Sequence, residues 1–169
     1  MSKVITFSRV FPSYHPKAGQ PTYFVEKIWN TFRSKWDFSL PDEFVPFVRE
    51  YVKLKLVGEP LFFSGVKHHT IRAGHRFKVG DKFSPRVWSG KPYRSPQITI
   101  GPDIEIKMIQ DIEVDGDGCI WIISDTDNED SSVLETLALN DGLTLPDLQA
   151  WFNKPMTGQI ICWNENVNY

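Results

Sequence analysis

The sequence predicts a mixed α+β fold, a small and mostly antiparallel β-barrel flanked by helices. Three observations carry that expectation. The middle of the chain is a meander of short β-branched segments, Lys82–Trp88, Gln97–Ile100, Ile104–Val114 and Cys119–Ser124, parted by Gly, Pro and Asp turns. Consecutive short strands with tight turns favour a barrel or sandwich. Ahead of it, Val25, Ile28, Trp29, Phe32 and Trp36 recur at helical spacing, and behind it Thr157–Trp163 is apolar enough to be a central strand.

Taken in order, Val4–Arg9 alternates and predicts a first strand. Pro12–Pro21 holds three prolines and a glycine and predicts a loop. A helix follows from Thr22, its candidate N-cap, with Val25 to Trp36 as its buried stripe. Ser39–Leu56 predicts a second helical stretch with Pro46 in its first turn or at a kink. Gly58-Glu59-Pro60 breaks the chain, and Leu61-Phe62-Phe63 leads into Val66-Lys-His-His-Thr-Ile-Arg72. Val79–Lys82 is a turn. Asp115-Gly-Asp-Gly118 predicts a hairpin turn rather than a calcium loop, because the full twelve-residue ligand pattern is absent. After the acidic run Asp125–Asp130, two short helices are expected, Ser131–Leu139 and Leu145–Phe152, with Thr144 and Asp147 at capping-box spacing.

At 169 residues the chain fits one domain, 1–169, with enough apolar residues (41%) and aromatics (14%) for a sizeable core. Cys119 and Cys162 match no disulfide or metal-ligand spacing, which suits a reducing cytoplasm. No apolar run is long enough to span a membrane. The net charge of −2 conceals segregation: residues 1–65 sum to +3, residues 66–100 to +7 and residues 101–169 to −12. The basic middle either contacts phosphates or packs on the acidic remainder.

Val66–Arg72 is the stretch richest in chemistry. As a strand it sets Lys67, His69 and Ile71 on one face and His68, Thr70 and Arg72 on the other. Such a polar face is either a site or the solvated side of an edge strand. Adjacent histidines cannot both face one metal, so no metal and no cofactor is expected. Arg72 suits phosphate or carboxylate through its planar fork, or an ordinary salt bridge. Arg76, with His75 and Lys78, either rings a cleft or solubilises a loop. Trp88 and Tyr93, interleaved with Arg86, Lys91 and Arg94, have the composition of a base-stacking surface, although Trp88 suits a core equally well.

The order Lys67-His-His-Thr70-Ile-Arg72, then Val79-Gly80-Asp81, then a strand meander, then Leu137-Ala-Leu-Asn-Asp141-Gly142-Leu-Thr-Leu-Pro-Asp-Leu148, then a last strand resembles the ASCH domain of the PUA-like superfamily. The resemblance covers about residues 60–164, with 1–59 part of the same barrel or packed on it. It implies a barrel with a cleft, and RNA or a modified nucleobase or nucleoside as partner. One branch of the family looks like an amidohydrolase that removes an acyl group from N4-acylated cytidine, using a Lys-x-x-Thr pair and a glutamate. Lys67 and Thr70 match the first two positions, and Asp141 falls on the third with a side chain one methylene shorter. In that chemistry Thr70 would attack the carbonyl, Lys67 would take its proton, and Asp141 would orient the lysine. Because Lys67 and Thr70 point to opposite faces of a regular strand, a shared site needs a bulge, twist or turn.

Three functions are therefore carried forward: a binding module for RNA or a modified nucleobase, which the sequence favours; an acyl-nucleoside amidohydrolase using Lys67, Thr70 and Asp141; and a protein–protein interaction domain whose basic and acidic halves meet partner chains. In the first, His69, Arg72, Arg76, Trp88, Lys91, Tyr93 and Arg94 form the binding surface. The partner is a nucleic acid or nucleoside and not a membrane, and the sequence leaves the oligomeric state open.

Overall fold

The computed structural model describes residues 2–54, 65–123, 131–167 and 169. The Gly58–Pro60 break, the Leu61–Phe63 lead-in and the acidic run Asp125–Asp130 lie outside the described residues. Among the described residues the architecture is α+β, with four α-helices and two four-stranded, mostly antiparallel sheets. Among the described residues the strands do not join into the expected closed barrel: their hydrogen bonds divide them into two sheets. The chain divides correspondingly into two compact units, each assembled from non-contiguous segments.

The first unit comprises residues 1–13, 17–66 and 82–104. Strand β1 (Lys3–Phe7) pairs in parallel with β3 (Lys82–Trp88), Ile5 opposite Pro85. Pro85 lacks a backbone donor, yet its carbonyl still accepts from Ile100 N at 3.0 Å. Strand β4 (Gln97–Thr99) lies antiparallel on the other edge of β3, and the two-residue β5 (Ile104–Glu105) also pairs with β3. Helix α1 (Phe24–Phe32) buries Phe24, Val25, Ile28 and Trp29, and Trp29 Nε1 donates to Ile100 O at 2.7 Å. Tyr51, from α2 (Val45–Lys53), meets the Trp29 ring edge-on at 5.4 Å. Pro46 occupies the first turn of α2, where a missing amide hydrogen costs nothing.

The aromatic stripe ends sooner than its spacing predicts. Helix α1 stops at Phe32, Arg33 is extended, and Trp36 is 95% exposed rather than core. A compact turn competes with another helical turn: Ser34 N donates to Ser39 O at 2.8 Å, and Arg33 Nη1 caps Phe38 O at 2.7 Å. Thr22 lies one residue before the N-cap position, yet its Oγ1 accepts from the first helical amide, Phe24 N, at 3.3 Å. Tyr23 takes that position in a left-handed conformation, while Thr22 Oγ1 donates to Ser8 O at 2.7 Å.

The second unit comprises residues 14–16, 67–81 and 105–169. Its sheet runs in the order β2 (His69–Ala73), β8 (Met156–Cys162), β6 (Met108–Val114), β7 (Ile120–Ile123). Strand β8 is thus central, as its apolar sequence requires. The single strand expected over 104–114 is broken at residues 106–107, where Ile106 N bonds Asp81 O and Lys107 N bonds Cys162 O instead. At Gly158 a side chain would strike the Arg72 carbonyl, so β2 and β8 can approach only across a glycine. The 115–118 hairpin turn is closed by Asp115 Oδ1, which accepts from Asp117 N at 2.7 Å and Cys119 N at 3.1 Å. Helices α3 (Ser131–Asn140) and α4 (Leu145–Trp151) close the unit, α4 capped by Thr144 Oγ1 on Asp147 N. From residues 14–16, Tyr14 Oη donates to Trp151 O at 2.8 Å and His15 Nε2 lies 3.1 Å from Asp147 O. Among the described residues, no helix is long and apolar enough to cross a membrane.

Candidate functional site

The site of the second unit grows from the end of α3. Asn140-Asp141-Gly142 is a helix stop: Gly142 is left-handed (φ 77), Gly142 N bonds Leu139 O and Leu143 N bonds Ala138 O. That paired bonding around a C-terminal glycine is the Schellman arrangement, and it puts Asp141 at the C-cap. Here the last helical carbonyls carry partial negative charge, and an aspartate adds a full one. The chain supplies the missing cation from Lys67. Its Nζ donates to Asp141 O at 2.7 Å and to Asp141 Oδ1 at 2.6 Å, and His68 N donates to Asn140 O at 2.7 Å.

Lys67 precedes the paired portion of β2, whose register begins at His69 opposite Cys162. The pleat carries Lys67 and His69 to the same side, and His69 Nε2 lies 3.6 Å from Asp141 Oδ1. The other ring nitrogen of His69, Nδ1, is hydrogen-bonded to the Tyr169 hydroxyl, with the two rings edge-on at 5.4 Å. Lys67, His69, Thr70 and Asp141 are each at most 5% exposed. Burial holds the His69 pKa well below the usual imidazole value, with the Lys67 and His68 charges adding to the effect, so the ring is neutral near pH 7. Burial likewise pushes the Tyr169 phenol upward, and the Cys162 and Asp141 charges contribute in the same direction. A neutral phenol donating to Nδ1 leaves the His69 proton on Nε2, the nitrogen that faces Asp141.

The structure therefore brings together Lys67, His69 and Asp141, and adds Tyr169, 100 residues away from His69. Thr70 is not joined to them. It belongs to the alternate face of a regular β2, opposite Ile161, with no bulge at that position. Among the described residues no hydrogen bond links Thr70 Oγ1 to Lys67 or Asp141. Arg72 shares the Thr70 face and is half-buried, opposite Gln159. Arg76 is exposed beyond β2, its guanidinium 6.0 Å from the Phe77 ring. His75 pairs with Asp111 at 3.5 Å, with both side chains about half exposed, a geometry worth little.

The remaining candidates belong to the first unit. In the loop after β3, Tyr93 adopts a left-handed backbone (φ 61) and is 88% exposed. Its ring lies 5.2 Å from the half-buried Trp88, tilted by 49°. Lys91 and Arg94 flank it and are exposed. The loop is tied by Ser95 Oγ, which donates to Lys91 O at 3.0 Å and accepts from Gly90 N at 2.9 Å, so the aromatic pair is held on a closed turn.

Among the described residues, no three His, Cys, Asp or Glu side chains group as metal ligands. The Asp115 charge raises the pKa of the exposed Cys119 thiol, which disfavours the thiolate a metal would need. Comparison with protein-family models, curated proteins and solved structures finds no match to this chain.

Proposed function

We propose that the chain is a PUA-like binding module for RNA or a modified nucleobase. The observation that carries this reading is the Trp88–Tyr93 pair at 5.2 Å, displayed on a hydrogen-bonded loop between Lys91 and Arg94. An exposed tyrosine backed by a second ring offers a stacking face, and flanking cations offer phosphate contacts. Arg72 and Arg76, on and beyond β2 of the second unit, are a separate candidate contact for phosphate. The charge segregation supports a one-sided surface, because the acidic carboxy-terminal residues repel a polyanion.

The test is fluorescence anisotropy of a labelled single-stranded RNA across a salt series. Affinity falls steeply with salt, and Lys91→Ala or Arg72→Ala lowers both affinity and the salt slope. Tyr93→Ala costs about ten- to a hundredfold, the value of one stacked base. Absence of binding at low salt to RNA and to free modified nucleosides overturns the reading.

A second reading, hydrolysis of an acyl amide on an N4-acylated cytidine, is favoured by one observation, the Lys67–Asp141 pair at 2.6 Å. Against it stands Thr70: two hydrogen bonds from Lys67 Nζ go to Asp141, whereas a base for Thr70 must face Oγ1. Turnover of N4-acetylcytidine by the wild type that is lost in Thr70→Val would establish this reading over binding alone. Turnover retained in Thr70→Val and lost in Lys67→Met would place the chemistry on the lysine pair without threonine.

A further inference from the structure

The first unit contains a cavity of about 110 Å³, separate from the groups considered above, lined by Arg9, Pro21, Tyr23, Phe24, Glu26 and Tyr51 among others. Glu26 is 3% exposed and Tyr51 2%. The Glu26 carboxylate accepts from its own backbone amide and feels the Arg9 and Lys27 charges, and among the described residues no side chain of another residue is hydrogen-bonded to it or to the Tyr51 hydroxyl. The carboxylate and the hydroxyl therefore keep hydrogen-bonding capacity facing the cavity, and a largely buried carboxylate gains from any further donor. Arg9 lines the same cavity without forming an ion pair with Glu26. Its Nε and Nη2 are committed to Trp88 O at 3.0 Å and Ser89 O at 3.2 Å, which leaves Nη1 as the donor with capacity.

The wall thus presents an acceptor, a donor and an amphoteric hydroxyl among aromatic and aliphatic surfaces. An anion would meet Glu26 and a cation would meet Arg9, so the chemistry selects a neutral ligand with both polarities. Size selects a compact one, since an apolar cavity of roughly 150 Å³ accepts a benzene ring. We propose that this cavity binds a small, flat, uncharged molecule carrying an N–H donor beside a carbonyl acceptor, as in the amide edge of a six-membered heterocycle. The N–H donates to Glu26, the carbonyl accepts from Arg9, and the ring lies against Tyr23 and Phe24. Burial raises the pKa of Glu26, and burial followed by the Glu26 charge raises that of Tyr51, so a ligand N–H restores to the carboxylate the solvation it has lost.

The test uses the full chain, labelled with nitrogen-15, and two probes of one size: 2-pyridone, which carries the amide edge, and benzene, which carries none. Titration with 2-pyridone shifts the amide signals of Phe24, Val25 and Tyr51, and benzene binds at least about tenfold more weakly, the worth of one hydrogen bond to a charged group. Glu26→Leu weakens 2-pyridone by at least about tenfold and leaves benzene unchanged or tighter. That variant removes a largely buried carboxylate, and Arg9→Met provides an independent arm with the same expected loss. Equal 2-pyridone affinity in wild type and either variant, equal affinity for the two probes, or no shift with 2-pyridone up to its solubility limit overturns the proposal.

Discussion

Asp141→Leu takes away the carboxylate to which Lys67 Nζ donates at 2.6 Å, and leaves an ammonium among groups that are almost wholly enclosed. Side-chain exposures of 1% for Lys67 and 7% for Asp141 place the pair outside the solvent-screened regime in which ion pairs contribute little. Removing one partner of such a buried pair costs about 3–5 kcal/mol, and because the Asp141 backbone oxygen still accepts from Nζ at 2.7 Å the cost falls toward the lower end of that range. For a chain of this length that lowers Tm by on the order of 10 °C. Lys67→Met acts in the same direction but less strongly, since Asp141 is the more exposed partner and still sits at a helix terminus. The double variant Lys67→Met/Asp141→Leu removes both desolvation costs and should return to within about 2 kcal/mol of the wild type, or exceed it. Urea unfolding at pH 7, followed by circular dichroism for all four proteins, gives the coupling energy directly. A cost below about 1 kcal/mol for Asp141→Leu, or a double variant as unstable as the sum of the singles, refutes the argument.

Acid should destabilise the fold through His69. Its folded pKa lies well below the unfolded value near 6.5, so the unfolded chain binds the proton first. Stability is complete above about pH 6.5 and falls on acidification at up to about 1.4 kcal/mol per pH unit. Urea midpoints at pH 7.5 and 5.0 check this, and the decline should shrink in His69→Phe; an identical decline in the variant removes His69 as the cause. The two tryptophans of the α1 region should behave oppositely: Trp29→Ala costs about 3–5 kcal/mol, whereas Trp36→Ser stays within about 0.5 kcal/mol in the same assay. Gly158→Ala should cost more than about 2 kcal/mol and speed amide exchange in both β2 and β8, because the methyl meets the Arg72 carbonyl. Normal exchange protection of Ile71 and Ile160 in that variant would contradict the close approach.

Periodicity and turn chemistry made most of the elements legible. Lys82–Trp88 is observed with the bounds its alternation predicts, the Thr144 cap forms, and the apolar β8 is central. What failed did so for local reasons. Trp36 continues the helical spacing numerically, but spacing cannot reveal that Arg33 and Ser34 find better hydrogen bonds in a turn. The barrel expectation rested on the number and shortness of strands. That pattern does not encode which strands share hydrogen bonds, and the parallel β1–β3 pairing joins segments with some seventy-five residues between them. Within the site, Lys67 and Asp141 were reached through the family resemblance, while period-two alternation already warned that Thr70 faces away. Tyr169 carried no signal, since a terminal tyrosine joins a histidine only through the fold. Glu26 was equally silent, because a carboxylate in the first turn of an amphipathic helix normally faces water.

The interleaving of the two units constrains how the chain can be made. A ribosome that has released residues up to Val66 has delivered β1, α1 and α2, yet β1 waits for a parallel neighbour that begins at Lys82. Next, β2 within Lys67–Asp81 must wait for its partner β8, which begins at Met156, some eighty residues further along the chain. Long-range pairing of this kind delays folding until loop closure is rewarded. A fragment ending before Met156 holds all the strands of the first sheet but leaves β2 and β6 without the strand between them, so it should expose bare edges and aggregate, and slowing translation should not rescue it.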